Sequence, residues 1–216
     1  MELVIGNKNY SSWSLRPWLL LSFFSIPFEE TRIPLAQART HELLAEYSPS
    51  FKVPVLIDND LIVWESMAIC EYINETYLNG QAYPASIKDR ALARAYCSEM
   101  HAGFSALRTE LHMNIRAMRR VKISDKCEHD IHRIDGMWQD ALNRHDGDFL
   151  FGNFSIVDCM FAPVATRFAT YNIEVSDTSL AYMDALLSLP AMQAWSASAT
   201  NEQEVIAASE VGSSRA

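Results

Sequence analysis

The sequence has little glycine, and it has no excess of positive charge. Its 216 residues include 7 Gly and 8 Pro, with 49% hydrophobic and 21% charged residues. This composition is typical of an ordinary globular chain, and it excludes the fibrous and disordered classes. The 18 Lys and Arg are outnumbered by 27 Asp and Glu, for a formal net charge of −9. Because nucleic-acid binders draw much of their affinity from clustered cations, we expect no nucleic-acid partner.

Cysteine is sparse and widely spaced. Cys70, Cys97, Cys127 and Cys159 form no C-x-x-C motif and no His/Cys cluster with zinc spacing. A disulfide scaffold, a zinc site and a dithiol redox centre therefore all lack their usual signatures. We expect four isolated thiols in a reducing compartment and no metal.

Long hydrophobic runs are also missing. The longest, Trp18–Phe24, contains Ser22 and is far shorter than the roughly 20 residues that span a bilayer. Glu2 and the asparagines Asn7 and Asn9 interrupt any apolar run that would make a signal peptide. The sequence thus predicts a cytoplasmic protein without a membrane partner.

Strand-like and helix-like patterns alternate over the first eighty residues. In order they predict a strand, a helix, a strand, a helix, two strands and a helix, over Leu3–Ile5, Leu15–Phe24, Phe28–Pro34, Thr40–Tyr47, Val55–Ile57, Leu61–Trp64 and 66–77. Ser66 is the expected N-cap of the last helix. This βαβαββα order predicts a mixed sheet with helices on its faces, in a domain over residues 1–80.

Helical patterns dominate from residue 86 onward, and no strand pattern appears there. The predicted helices cover Lys88–Arg119, Ser124–His145, Ser155–Tyr171, Ser179–Leu187 and Ala191–Ser198, and the tail Gly212–Ala216 is expected to be frayed. Ser155-x-x-Asp158 is a capping-box pattern, which is a folding device. The predicted fold class is α/β plus all-α, with a helical bundle domain over residues 86–216.

Three serines lie at the predicted turn between the first strand and the first helix. Ser11, Ser12 and Ser14 surround Trp13 at this turn. Hydroxyls and free amides at a helix start can donate hydrogen bonds to an anion. The same serines can act simply as helix caps, and the pattern leaves both interpretations open.

Two further segments have a pattern suited to binding an amino-acid-like ligand. The first is Lys52-Val53-Pro54. If the bond before Pro54 is cis, the backbone N–H and C=O of Val53 are free to pair with a peptide. A trans proline at the start of a strand is the alternative. Ser66, with the amides of a helix N-terminus, can bind a carboxylate, and Glu65 can bind a cation beside it. An ordinary N-cap is the other interpretation of that pair.

The order and spacing of these segments resemble the cytosolic glutathione transferases over nearly the whole chain. The first domain resembles their thioredoxin-like half, and the second resembles their helical half. Val53-Pro54 is similar to their cis-proline loop, and the capping box at residues 155–158 is similar to theirs. The run 11–16 most resembles the serine-type, zeta-like bacterial branch, which includes maleylacetoacetate isomerases, although Trp13 stands where that motif usually has cysteine.

The resemblance implies an enzyme that uses glutathione as a substrate, without a metal, as a homodimer with a role in detoxification. It implies that Glu65 and Ser66 hold the γ-glutamyl end of glutathione. By the same resemblance, Val53 pairs with the cysteinyl backbone and Lys52 lies near the glycyl carboxylate.

A turn serine would then face the glutathione sulfur, with Ser11 the first candidate, Ser12 the second and Ser14 the third. A model thiol titrates near about 8.5, so little thiolate is present at neutral pH. Lowering that pKa by about two units needs about 2.7 kcal/mol of preferential stabilisation of the thiolate. One charge-assisted hydrogen bond with a helix dipole behind it is of that size.

A small electrophile is expected to bind between the domains, against the predicted helix 88–119. His101, Arg108 and His112 share one face of that helix by their spacing. These basic groups favour an anionic electrophile, whereas a solvated face or a dimer contact is the alternative. Trp13 is expected either to form a wall of this pocket or to lie in the core.

Three functions fit these patterns. The first is a transferase that activates glutathione for attack on an electrophile. The second is a glutathione-dependent cis–trans isomerase of a small dicarboxylate-like diene, against which the tryptophan in the serine motif argues. The third is a glutathione-binding scaffold without turnover, since a fold does not by itself determine function.

Overall fold

The first half of the chain folds around a four-stranded mixed sheet. A computed structural model describes residues 1–214. The elements of this half are, in order, β1 (Glu2–Ile5), α1 (Ser12–Phe23), β2 (Glu29–Arg32), α2 (Thr40–Ala45), β3 (Val55–Asp58), β4 (Leu61–Trp64) and α3 (Ser66–Thr76). The strand order is β2-β1-β3-β4, with β1 parallel to β2 and antiparallel to β3. The predicted βαβαββα order is confirmed.

The second half is mainly helical, as predicted. Its elements are α4 (Ile87–Ala102), α5 (Ser105–Glu110), β5 (Arg119–Arg120), α6 (Asp125–Leu142), α7 (Ile156–Tyr171), α8 (Asp177–Leu187), α9 (Pro190–Asn201), a 3-10 turn (Ala207–Ser209) and β6 (Ser213–Ser214). The short strands β5 and β6 pair antiparallel. The expectation of no strand in this half is therefore wrong. The expectation of a frayed tail from Gly212 onward is also wrong as far as Ser214, which lies in β6. Residues 215 and 216 lie outside the described part of the chain.

One hydrophobic core extends through both halves. The helix α7 is almost entirely buried, and α1 packs against it as well as against α3 and α9. Leu3 and Leu19 from the first half and Trp138, Phe161 and Trp195 from the second belong to the same cluster of buried side chains. This shared core holds the sheet loops in a defined position against the helices.

The prediction of one long helix over 88–119 is wrong. The helix α4 ends before Gly103, Phe104 has a left-handed φ of 58°, and a new short helix begins after it. Arg108 folds back and donates hydrogen bonds to the carbonyl oxygens of Gly103 at 2.9 Å and His101 at 3.3 Å. These bonds satisfy carbonyls that a helix C-terminus leaves open. The apolar spacing continues across the break, so periodicity alone did not show it.

Two helix starts also differ from the expected ones. The helix α1 begins at Ser12, with Ser11 as an N-cap that accepts a bond from the Ser14 amide at 3.4 Å. Ser66 is the first residue of α3, and the N-cap is Glu65. The prediction of Ser66 as N-cap is therefore wrong, and its hydroxyl is not committed to capping the helix.

Candidate functional site

Two adjoining cavities lie where the loops of the sheet meet the helical half. The first, the Ser66 cavity, has a volume of about 380 Å³ and is lined by Trp13, Ser50, Lys52, Val53, Pro54, Glu65, Ser66 and His101. The second, the Arg108 cavity, has a volume of about 480 Å³. Its lining includes Tyr10, Ser11, Ser12, Trp13, Lys52, Val53, Phe51, Arg108, His112, Arg167 and Ser209. The cavities share Trp13, Lys52 and Val53, so a ligand lying along Val53 reaches both.

The structure brings all the predicted site residues except Ser14 to these two cavities. Ser14 is fully buried, and its hydroxyl accepts a hydrogen bond from the Gly6 amide at 3.1 Å. It therefore ties α1 to the end of β1. His101 lines the Ser66 cavity, whereas Arg108 and His112 line the Arg108 cavity, because the chain turns after α4.

One end of the Ser66 cavity combines a hydroxyl donor, helix amides and a carboxylate. The Ser66 hydroxyl accepts a bond from an Arg16 Nη at 3.3 Å, so its own hydrogen remains available for a ligand. The first amides of α3 beside it have no intrahelical partner. Glu65 holds a left-handed φ of 75°, and its carboxylate lies 3.7 Å from His101 Nε2. A left-handed non-glycine residue is costly, and such residues concentrate at functional sites.

The loop between the cavities presents free backbone groups. The Val53–Pro54 bond is cis. Within residues 1–214 neither the N–H nor the C=O of Val53 has a hydrogen-bond partner. Lys52 is exposed, and no described carboxylate lies within 4.0 Å of its ammonium group. This loop is therefore able to pair with an extended peptide and to attract a negative charge.

The two cavity-lining serines of the turn differ in their bonding. The Ser11 hydroxyl lies 2.7 Å from the Ser14 hydroxyl and also caps α1. The Ser12 hydroxyl has no hydrogen-bond partner among the described residues, although Ser12 is only 6% exposed. Ser12 therefore presents an uncommitted donor at the helix N-terminus.

Two guanidinium groups stack on the ring of Trp13. The guanidinium carbon of Arg16 lies 4.2 Å from the ring centre, and that of Arg108 lies 4.8 Å from it. Burial, together with the charges of Arg108 and Arg167, lowers the pKa of Arg16 to about 9. Its Nε has no hydrogen-bond partner in the described part of the chain. The junction of the cavities is thus strongly electropositive.

Arg167, on α7, adds a further buried cation that sequence reasoning missed. Its Nε donates to the Leu111 carbonyl at 2.7 Å, and an Nη donates to the Pro163 carbonyl at 3.1 Å. Burial and the charge of Arg108 lower its pKa to about 9. No described carboxylate lies within 4.0 Å of Arg16, Arg108 or Arg167. An arginine within the apolar pattern of residues 156–171 was the available signal.

Tyr10 and Ser209 line the Arg108 cavity and were also missed. Tyr10 directly precedes the serine turn. Ser209, which follows His112 by 97 residues in the chain, has its Oγ 3.2 Å from His112 Nδ1. No sequence pattern connects residues that far apart. Burial and the charge of Arg167 lower the pKa of His112. Burial and Arg16 lower that of His101, so both imidazoles are mainly neutral at pH 7.

The described residues contain no group of three or more His, Cys, Asp or Glu side chains able to hold a metal ion. Among the helices within residues 1–214, none has the length and apolar character needed to span a membrane.

Two family models and several known proteins match this chain. Residues 10–76 match the family model of the glutathione S-transferase N-terminal domain, and residues 90–198 match that of the C-terminal domain. A probable maleylacetoacetate isomerase from Vibrio cholerae is 26% identical over 184 residues, which cover 82% of this chain and 86% of that protein.

Two solved structures illustrate the likeness in fold. A glutathione transferase homolog from Burkholderia, solved with bound glutathione, matches with a TM-score of 0.72 at 20% identity, covering 93% of this chain and 98% of that one. A maleyl pyruvate isomerase, described as a bacterial zeta-class glutathione S-transferase, matches with a TM-score of 0.73 at 19% identity, covering 95% and 100%. Because the C-terminal model alone spans half of the chain, the family is established: the chain belongs to the glutathione S-transferase family.

Proposed function

We propose that the protein is an enzyme that binds glutathione in the Ser66 cavity and activates its thiol for attack on an electrophile in the Arg108 cavity. The observation that carries this proposal is the junction of the two cavities. A tripeptide paired with the free backbone of Val53 has one end beside Ser66 and its sulfur directed toward the serine turn. Membership in the glutathione S-transferase family supports the same assignment.

Each end of glutathione has a chemically matched group in this arrangement. The γ-glutamyl carboxylate accepts bonds from the Ser66 hydroxyl and the first amides of α3, and the ammonium group faces the Glu65 carboxylate. The cysteinyl backbone pairs with Val53, next to Pro54. The glycyl carboxylate lies near Lys52, which has no competing described carboxylate.

The thiol is activated by hydrogen-bond donation rather than by a base. We assign this donation to Ser12, because its hydroxyl is uncommitted and lies at the first residue of α1, whereas Ser11 caps the helix. The charges of Arg16, which is buried, and of Arg108, which is half-buried, add a positive potential at the neighbouring Trp13 ring. The thiol proton leaves to solvent, and the thiolate sulfur forms the new bond to the electrophile. A thiol pKa lowered by about two units requires about 2.7 kcal/mol from these sources.

The electrophile is proposed to carry a carboxylate. Arg108, which is half-buried, and Arg167, which is buried, line the second cavity without a described carboxylate partner, so an anionic substrate compensates charges that the fold leaves unpaired. Burial and the charge of Arg167 lower the pKa of His112, which lines the same cavity. Trp13 forms the wall that separates this anion from the glutathione backbone.

Glutathione-dependent cis–trans isomerisation is the second candidate function. The two arginines favour it because they can hold a dicarboxylate, and the relative from Vibrio cholerae is named a probable maleylacetoacetate isomerase. In isomerisation the sulfur adds reversibly and leaves again. Thiol is then not consumed, whereas conjugation consumes one thiol per electrophile. A non-catalytic scaffold predicts binding without either reaction.

Dimerisation and location form part of the same proposal. Large apolar side chains are exposed on β4 and just after α3, namely Leu61, Ile62, Trp64 and Tyr77. An apolar surface of this kind is typical of a protein interface, and it supports a homodimer. Four free cysteines support a reducing compartment, which we take to be the cytoplasm.

Calorimetric titration with glutathione tests the binding site. Ser66→Ala removes one charge-assisted bond and is expected to weaken binding by roughly tenfold or more. Lys52 is exposed, so Lys52→Met is expected to weaken glutathione binding without affecting the fold. Ser188→Ala, at an exposed serine away from both cavities, is the matched control and is expected to bind like the parent. A parent protein that binds no glutathione contradicts the proposed function.

A further inference from the structure

A third cavity lies between α7, α9 and the segment 115–118, which precedes β5. This cavity, which we call the α7–α9 cavity, has a volume of about 280 Å³. It shares no lining residue with the Ser66 cavity or with the Arg108 cavity. Its lining also includes none of the exposed apolar residues on which the proposed homodimer rests. The cavity is therefore available to a ligand that binds at neither of those places.

The lining of the α7–α9 cavity carries no ionisable side chain. Its apolar side chains are those of Ile115, Ala117, Met118, Ala169 and Leu187, and its polar groups are neutral hydroxyls and one amide. A charged ligand would lose hydration there without gaining an ion pair, which is costly. An apolar cavity of about 150 Å³ holds benzene. The lining and the volume therefore favour a neutral, monocyclic molecule with a small substituent.

The polar groups of the lining specify one further property of the ligand. The Thr166 hydroxyl donates to the Pro163 carbonyl at 2.8 Å. The Thr170 hydroxyl donates to the Asn114 carbonyl at 2.9 Å. Both threonines are buried, and each hydroxyl oxygen can still accept a hydrogen bond. The Ser196 hydroxyl has no hydrogen-bond partner among the described residues. A ligand hydroxyl can donate to a threonine and accept from the serine, so the lining favours a phenol.

The helix α7 is a wall of both the α7–α9 cavity and the Arg108 cavity. Thr166 and Thr170 line the first cavity, and Arg167 lines the second. Arg167 is also the buried cation that we propose to hold the electrophile carboxylate. The position of α7 therefore affects the geometry of both cavities.

The segment after α5 is a second wall that the two cavities have in common. Met113 lines the Arg108 cavity, whereas Ile115 and Ala117 line the α7–α9 cavity. Residues 113–117 lie outside any helix or strand, and segments of this kind open locally at a lower free energy than the core. The amide of Arg116 donates to Asn9 Oδ1 at 2.9 Å, which bonds the segment to the loop before the serine turn. A ligand that packs against this segment should therefore order a wall of the electrophile site.

We propose that the α7–α9 cavity is an effector site for a small neutral phenol, and that its occupation increases the affinity of the Arg108 cavity for the electrophile. The bound phenol orders α7 and residues 113–117, so electrophile binding no longer has to order them. Because coupling between two sites is reciprocal, the electrophile raises the affinity for the phenol by the same factor. The coupling rests on the proposed function of the Arg108 cavity, whereas binding in the α7–α9 cavity does not depend on it.

The probe for this site is p-cresol, compared with toluene, which lacks the hydroxyl, and with 4-methylbenzoate, which is charged. Calorimetry measures binding, and NMR of methionines labelled with carbon-13 in their methyl groups locates it. Met118 lines the α7–α9 cavity and Met113 lines the Arg108 cavity, so the two methyl groups distinguish the sites. Ala169→Leu fills the cavity from an exposed position of α7. Ala181→Leu, at an exposed alanine of α8, is the matched control.

The parent and Ala181→Leu are expected to bind p-cresol with a Kd of roughly 0.1–1 mM, with a larger shift of the Met118 methyl than of the Met113 methyl. Ala169→Leu should weaken this binding by about tenfold or more. Toluene should bind about tenfold more weakly than p-cresol, and 4-methylbenzoate should leave the Met118 methyl unshifted.

The site is overturned if p-cresol does not bind the parent, if it shifts only the Met113 methyl, or if it binds Ala169→Leu as tightly as the parent. Toluene or 4-methylbenzoate that binds there as tightly as p-cresol overturns the assigned class of ligand.

The effector role is tested by kinetics in the presence of saturating p-cresol. The KM for a carboxylate-bearing electrophile is expected to fall by about threefold in the parent and in Ala181→Leu, and Ala169→Leu should show no such response. An unchanged or raised KM in a parent whose Met118 methyl has shifted overturns the effector role. A parent that neither binds glutathione nor turns over any electrophile overturns the proposed function, and the Met118 shift then still decides whether the α7–α9 cavity binds the phenol.

Discussion

Asp158 is a fully buried carboxyl, and its replacement by alanine should cost more stability than the loss of any one of its partners. It accepts hydrogen bonds from the amides of Leu150 at 3.2 Å and Ser155 at 2.8 Å, and from the hydroxyls of Ser155 at 2.9 Å and Tyr182 at 3.2 Å. One of these bonds, from the Ser155 amide, belongs to the capping box of α7, which the structure confirms. That helix lies against α1 in the shared core.

The magnitude follows from these contacts. Asp158→Ala leaves the Leu150 amide, the Ser155 amide and the Tyr182 hydroxyl without this acceptor, at about 1–3 kcal/mol each. Relief of charge burial offsets roughly 3 kcal/mol, because burial raises the carboxyl pKa from 3.8 to about 6. The net loss in free energy of unfolding is therefore about 3 kcal/mol, with each unsatisfied group taken at about 2 kcal/mol. Tyr182→Phe, which removes one donor, should cost about 1 kcal/mol.

The same carboxyl predicts a pH dependence. Its folded-state pKa lies above the unfolded value, so its stabilising contribution is complete below pH 3.8 and is lost as pH rises through about 6. Between about pH 5.5 and 7.5 this one residue should lower the free energy of unfolding by about 1 kcal/mol. Asp158→Asn has no such titration, so the parent should lose about that much more than the variant over this range.

Urea unfolding at both pH values measures these quantities, provided that the slope against denaturant is the same in all variants. Comparing the parent with Asp158→Asn removes the contributions of every other titrating group. A loss below about 1 kcal/mol in Asp158→Ala, or an equal pH response in the parent and Asp158→Asn, would refute the reasoning from buried hydrogen bonds and charge.

Two predictions concern the cavities. Arg167→Met should lower kcat/KM by about tenfold for a carboxylate-bearing electrophile and leave kcat/KM for a neutral electrophile within about twofold of the parent value. Arg133→Met, at an exposed arginine, is the control. Equal losses for both substrates contradict an anion-binding role. Ser12→Ala should move the pH profile of kcat/KM upward by about one to two units as the bound thiol approaches its ordinary pKa near about 8.5. Ser11→Ala should instead cost about 1 kcal/mol of stability as a lost N-cap, and an unchanged profile in Ser12→Ala would contradict the assignment of the donor.

Short-range signals in the sequence predicted much of the fold. The residues Asp58-Asn59-Asp60 have the chemistry of a hairpin turn, and the structure has a two-residue turn there between β3 and β4, in which Asn59 has a left-handed φ of 54°. The capping box at Ser155 likewise depends on groups three residues apart. Such features are encoded locally, because the interacting groups are neighbours in any conformation that forms the turn or the helix.

The break after α4 shows where local reasoning fails. The apolar spacing through residues 88–119 fits one helix, but Phe104 turns the chain and Arg108 bonds the carbonyls that are left open. The competing conformation is favoured by a side chain folded back on the helix end, which hydrophobic periodicity does not register. As a result the predicted face of His101, Arg108 and His112 is divided between two cavities.

The sequence by itself determined the order of the elements in the first half, the family resemblance and the segments that approach one another in the Ser66 cavity, because each of these is expressed in residues close together in the chain. Only the tertiary structure decided which serine hydroxyl is uncommitted, that Arg167 reaches the Arg108 cavity from α7, and that Ser209 lines this cavity from 97 residues beyond His112. Those outcomes depend on long-range packing. Burial and the partners of each polar group are set by segments that meet only when both halves fold around one core.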